Sequence, residues 1–175
     1  MAPIGSEERP HPREYADHYH TYVTRVPPGP VLQHLQSRHL ELLSMLSSIP
    51  AEKADHAYAP GKWTVKQVMG HLSDVERIMT YRALRFARND RTGLPSFDEN
   101  FYVVEGGFTA RTLPDLLDEF RAVREASIAF FAHLPPEHFS RGGEASGHYV
   151  SVRALLYIIV GHELHHRAIL QERYL

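Results

Sequence analysis

Val160-Gly161-His162-Glu163-Leu164-His165-His166-Arg167 lies close to the C-terminal end of the sequence. An α-helix rises ~1.5 Å per residue and turns once every ~3.6 residues, so His162 and His166 stand on one face about 6 Å apart along the axis. Reading outward, Ser151 is a good N-cap, and helical spacing continues to about Arg173 with Leu155, Ile159, His162, His166 and Ile169 on one stripe. The two histidines stand where core residues belong. One inward imidazole is usually a satisfied core residue. Two at i and i+4 each need a polar partner, and one metal ion serves both.

The search for a third ligand leads to Lys62-Trp63-Thr64-Val65-Lys66-Gln67-Val68. Thr64 with Gln67 three positions on is a capping box, and Trp63 can staple onto Val68. A helix therefore starts at 64 and runs through Val68, His71, Leu72, Val75, Ile78, Met79 and Leu84 to about 88. His71 shares the buried stripe with Val75 and Ile78, making it the natural third ligand. Asp74 and Glu163 are the candidate catalytic carboxylates, Asp74 also as an outer partner that orients an imidazole.

Two further helices complete the pattern. Leu32, Leu35, His39, Leu42 and Leu46 recur over residues 30–49, with Pro30 suited to a first turn. His39 is a weaker ligand candidate. Residues 113–133 carry Leu116, Leu117, Phe120, Val123, Ser127, Phe130 and Phe131 behind Thr112. Four amphipathic helices, 30–49, 64–88, 113–133 and 151–173, make an all-α four-helix bundle in a single domain over 1–175. Residues 1–29, rich in proline and tyrosine, read as an extended arm laid over the bundle.

If one ion joins His71 near the start of the second helix to the pair near the end of the fourth, those helices run antiparallel. With ordinary reversals elsewhere, the third helix is parallel to the second. The long connection at 89–112 supplies that crossover, so the predicted topology is up-down-down-up.

Composition narrows the function classes. The 175 residues hold no cysteine, which excludes disulfides, thiolate metal sites and a cysteine nucleophile. A reactive thiol must come from a cosubstrate. Nineteen basic and 21 acidic residues give a formal charge of −2 without a basic block, so nucleic acid is not an expected partner. The longest apolar run, 154–160, is far too short for a membrane span, and the leading Met-Ala-Pro-Ile-Gly-Ser-Glu-Glu has no signal pattern; a cytoplasmic location is expected. Thirteen dispersed histidines carry no argument by number alone.

His162-Glu163-Leu164-His165-His166 also fits the H-E-x-x-H pattern of zinc peptidases, with Glu163 as base. The extended pattern requires Gly and His where this chain has Ile169 and Glu172, and only nine residues follow His166. The peptidase reading is set aside.

With His71 in a capped helix and H-x-x-x-H in the last, the chain resembles the DinB superfamily of metal-binding four-helix bundles. The likeness rests on 62–72 with Asp74 and Glu76, on 94–99 with Asp98 and Glu99, and on Ser151-Val152-Arg153-Ala154 followed by 161–166. It spans about 15–175. The resemblance implies metal ligands at His71, His162 and His166, with His165 a non-ligand neighbour, a divalent ion such as zinc or nickel, and a homodimer. It does not imply one reaction. Relatives include enzymes using bacillithiol or mycothiol for S-transfer and others described as hydrolases. The leading expectation is a metal-dependent enzyme that activates a low-molecular-weight thiol for transfer to a small electrophile. A hydrolase using metal-activated water and a non-catalytic metal-binding stress-response protein are the alternatives.

Overall fold

The computed structural model describes residues 8–175; residues 1–7, most of the stretch read for a signal pattern, lie outside the described residues. Six α-helices occur among them: α1 His20–Arg25, α2 Val31–Ser47, α3 Val65–Ala87, α4 Glu99–Glu105, α5 Leu113–Ala132 and α6 Val152–Arg173. A two-stranded hairpin, β1 Gly142–Ala145 and β2 His148–Ser151, precedes α6.

Local chemistry fixes the helix starts. The Thr64 hydroxyl accepts from Gln67 N at 3.2 Å, while the Gln67 side chain accepts from Thr64 N at 2.8 Å, closing the capping box on α3. Thr112 accepts from Asp115 N at the head of α5, and Ser151 accepts from Ala154 N at the head of α6.

The long helices α2, α3, α5 and α6 form a bundle in which α3 packs on α5 and α6, and α2 packs on the same two. Between α3 and α6, the Tyr174 hydroxyl donates to Trp63 O at 2.6 Å, beside the Trp63 end of α3. Farther along, Val75 and Met79 share a cavity wall with Ile158. Between α3 and α5, Arg77 pairs with Glu119 at 2.6 Å and Thr80 bonds Ser127 at 3.1 Å. Arg167 of α6 pairs with Glu41 of α2.

Three segments differ from the sequence expectation. The segment read as an extended arm contains 3-10 turns at Pro12–Glu14 and Asp17–Tyr19 and then α1. Between Pro12 and Pro27 no proline interrupts the chain, and Tyr19, Tyr22, Val23 and Val26 fall at helical spacing, with Val23 and Val26 fully buried. The prolines masked that pattern. The connection at 89–112 contains α4, whose N-cap Asp98 accepts from Asn100 N and Phe101 N at 2.9 and 3.1 Å. The connection before α6 holds the hairpin, in which Gly142 pairs with Ser151 and Ala145 with His148. Its turn residues Ser146 and Gly147 both have positive φ, 55° and 78°, as a tight two-residue hairpin turn requires.

The N-terminal segment is strapped to α6. Arg9 donates to the carbonyls of Val23 and Val26, and Glu14 accepts from Arg153 at 2.6 Å and from Ser151 at 2.8 Å. Gly161 permits the closest approach: a Cβ there would collide with the Tyr22 carbonyl. Among the described residues, no helix is long and apolar enough to cross a membrane.

Candidate metal centre

Helical phase brings the histidines together. His162 and His166 lie one turn apart on α6, and α3 presents His71 opposite them. His162 Nε2 is 3.0 Å from His71 Nε2 and 3.1 Å from His166 Nε2. All three are buried or nearly so, at 4 to 9% exposure, and their ligand atoms lie within 4.8 Å of one another.

The arrangement fits a metal by three separate criteria. Nitrogens bound tetrahedrally at ~2.0–2.1 Å from one ion stand about 3.3 Å apart, close to the separations seen. Burial pushes His71 down to about 4 and His166 down to about 3, the latter with help from the neighbouring imidazoles. His162 is held well below its ordinary value by burial and by His166, His71 and His165. All three rings are therefore neutral near pH 7, the state that coordinates. Finally, three nitrogens in one focus cannot all be satisfied by hydrogen bonds among themselves, because a neutral imidazole has only one N–H.

Aromatic rings brace the cluster. Trp63 packs on His71 with centroids 4.7 Å apart and lies 6.4 Å from His166, while the Tyr22 ring stands edge-on to His162 at 5.3 Å. Two cavities open beside the histidines. One, of about 340 Å³, borders His162 and includes Tyr22, Phe97 and Glu99; the other, of about 240 Å³, borders His166 and includes Tyr58, Lys62, Trp63 and Asn100.

The remaining sequence candidates have other partners. Glu163 points to α5, where its carboxylate accepts from Arg124 at 2.5 Å. Arg124, fully buried, also grips Glu76 through contacts of 2.8 to 3.1 Å and donates to Leu35 O at 3.2 Å. Burial raises the Glu163 pKa against the pull of Arg124. Asp74 is half-buried and pairs with Arg77 at 3.4 Å. Neither carboxylate joins the histidine focus. His39 is buried on α2, where burial and Arg124 push its pKa down, and it too stands outside the cluster.

Sequence reasoning missed Tyr22, Lys62 and the Arg124 network, and left Glu99 without a role. A signal for Arg124 was present: it continues the inward stripe Leu117, Phe120, Arg124, Ser127, Phe131 at steps of three and four. Nothing local marks Tyr22 or Lys62, whose positions depend on the tertiary fold.

A helical bundle with three neutral imidazoles focused between two of its helices, open to small cavities, defines a class of bundle able to hold a divalent ion. The sequence matches the DinB superfamily over residues 34–170, and the chain belongs to that superfamily. Among solved structures, YfiT from Bacillus subtilis shares the fold, with a TM-score of 0.73 at 20% identity over 98% of this chain and 93% of that one. YfiT is described as a probable metal-dependent hydrolase with an unusual four-helix bundle topology. No curated protein matches the chain.

Proposed function

We propose that this protein is a metal-dependent hydrolase of small molecules, its divalent ion held by His71, His162 and His166. The observation that carries the reading is the convergence of three buried Nε2 atoms beside two small cavities. The description of YfiT supports hydrolysis as the reaction. These three imidazoles would hold the ion, which would supply Lewis acidity for activating water or a thiol.

The chain's own residues do the rest. Burial keeps the imidazoles neutral, and Trp63 with Tyr22 fixes their rings. Tyr22 lines the cavity beside His162, where burial and the carboxylate of Glu99 push its pKa above the ordinary value, and we assign its neutral hydroxyl as a hydrogen-bond donor to the substrate. Glu163, engaged with Arg124, holds α6 in register rather than moving a proton, and Asp74 is surplus to the chemistry. Zinc and nickel both suit three imidazoles.

Thiol transfer is the second reading, favoured by the complete absence of cysteine, which leaves any thiol to a cosubstrate such as bacillithiol. We further propose the up-down-down-up order, supported by the pairs that join α3 to α6 and α3 to α5. A homodimer is proposed from the superfamily resemblance.

Metal analysis of untagged protein, followed by assays on a panel of small esters and amides, tests the proposal. About one equivalent of ion and turnover that disappears on chelation are expected, with both lost in His162→Ala. Tyr22→Phe should lower kcat while leaving metal content intact. Undiminished metal content in His71→Ala refutes the ligand set, and turnover that appears only with added thiol replaces hydrolysis by transfer.

A further inference from the structure

The two cavities beside the histidines carry opposite charges. Glu99 is the carboxylate of the cavity at His162, and Lys62 is the ammonium of the cavity at His166. No other Asp, Glu, Lys or Arg lines either one. Both side chains are exposed, and among the described residues neither has an ion-pair partner. The first turn of α4 lies at the boundary between the two cavities: Glu99 borders one cavity and the next residue, Asn100, borders the other.

The walls match these charges. Around Glu99 stand Tyr19, Tyr22 and Phe97, rings whose faces attract a cation. Glu99 is close enough to Tyr22 to help raise its pKa. Beside Lys62, the Asn100 amide adds a neutral hydrogen-bond donor, the pairing that a carboxylate takes. Each cavity has less room than, or barely the room of, an ordinary drug-sized pocket. Both cavities border the histidine cluster, one at His162 and the other at His166, whose Nε2 atoms stand 3.1 Å apart.

We propose that the site selects small zwitterions that span both cavities, the ammonium end with Glu99 and the carboxylate end with Lys62. A dipeptide-like amide has this chemistry, with its central bond beside the imidazoles. The inference deepens the hydrolase reading and rests on it for the role of the central bond. Lys62 and Glu99 act as specificity-determining residues, separate from the ligand set.

Trp63, the single tryptophan of the chain, lines the Lys62 cavity and supplies the readout. Its fluorescence is followed on titration with glycyl-alanine, N-acetylglycyl-alanine, glycyl-alanine amide and N-acetylglycyl-alanine amide, in metal-loaded and in EDTA-treated protein. The free dipeptide is expected to bind at least tenfold more tightly than either singly blocked form, in both states of the protein. Glu99→Gln should remove the advantage of the free ammonium alone, and Lys62→Gln that of the free carboxylate alone. Equal affinity for all four compounds, binding by none, or a preference that survives both substitutions overturns the inference. Charge selectivity without turnover sinks the hydrolase reading and leaves this one standing; chelation-sensitive hydrolysis of uncharged esters without charge selectivity does the reverse.

Discussion

Gly161 shows how much one missing carbon decides. It lies one residue before His162, and its bare Cα lets the backbone of Tyr22 rest on α6. Gly161→Ala gains helix propensity of about 1 kcal/mol but forces backbone against methyl, and overpacking of that kind costs roughly 1–3 kcal/mol. The expected net result is a lower urea midpoint, with Tyr22 displaced from His162 and altered ring shifts of both in NMR spectra. The histidines make a second prediction at this scale. Buried, His71 stays neutral to about pH 4 and His166 to about pH 3, whereas both protonate near 6.5 when unfolded. The unfolded state therefore binds more protons on acidification, so stability is complete above pH 6.5 and falls as pH drops below it. For His71 the loss reaches on the order of 3 kcal/mol below pH 4. Urea denaturation of chelated protein at pH 7.5 and pH 5 should show the lower midpoint at pH 5; equal midpoints would contradict the depressed values.

Between elements, the notable joint is Arg124, which ties α5 to Glu76 on α3, Glu163 on α6 and a carbonyl of α2. Glu76 lies five residues beyond His71 and Glu163 directly follows His162, so the joint ties together the two helices that carry the histidine cluster. Arg124→Met strands two buried carboxylates and should cost roughly 3–5 kcal/mol. Adding Glu76→Leu and Glu163→Leu should recover most of that loss, because apolar replacement of a whole buried network is often neutral. Denaturation of both variants tests the pair, with metal affinity expected to remain weakened in the triple variant. The bundle helices and histidine triad were legible because both obey a 3.6-residue period, and the caps at Thr64, Thr112 and Ser151 are local chemistry. The Arg124 joint obeys the same period but places charge where a stripe is read for apolarity. The hairpin escaped notice because its turn, Ser146-Gly147, sits in a glycine-rich run with few apolar residues to show alternation.

For the whole molecule, the N-terminal segment is part of the site. Arg9, Glu14 and α1 fasten Tyr22 over His162, where Tyr22 lines the first cavity. Deleting residues 8–29 should therefore lower activity and metal retention while far-UV circular dichroism remains helical. The order of packing has a different consequence. Because α2 and α3 both pack chiefly on α5 and α6, the helices that follow one another as α2–α3 and α5–α6 face across the bundle rather than side by side. An ordinary up-and-down bundle gains its first tertiary contacts by closing short helical hairpins, a cheap step in chain entropy. Here α2 gains its main partners only after more than sixty residues have been made, since α5 begins at Leu113. Refolding should be slower than for a helical bundle of equal length with sequential packing, and stopped-flow fluorescence of Trp63 would time it. During synthesis on the ribosome, α2 and α3 emerge as exposed amphipathic faces awaiting partners, a period in which the nascent chain is open to chaperones and to aggregation.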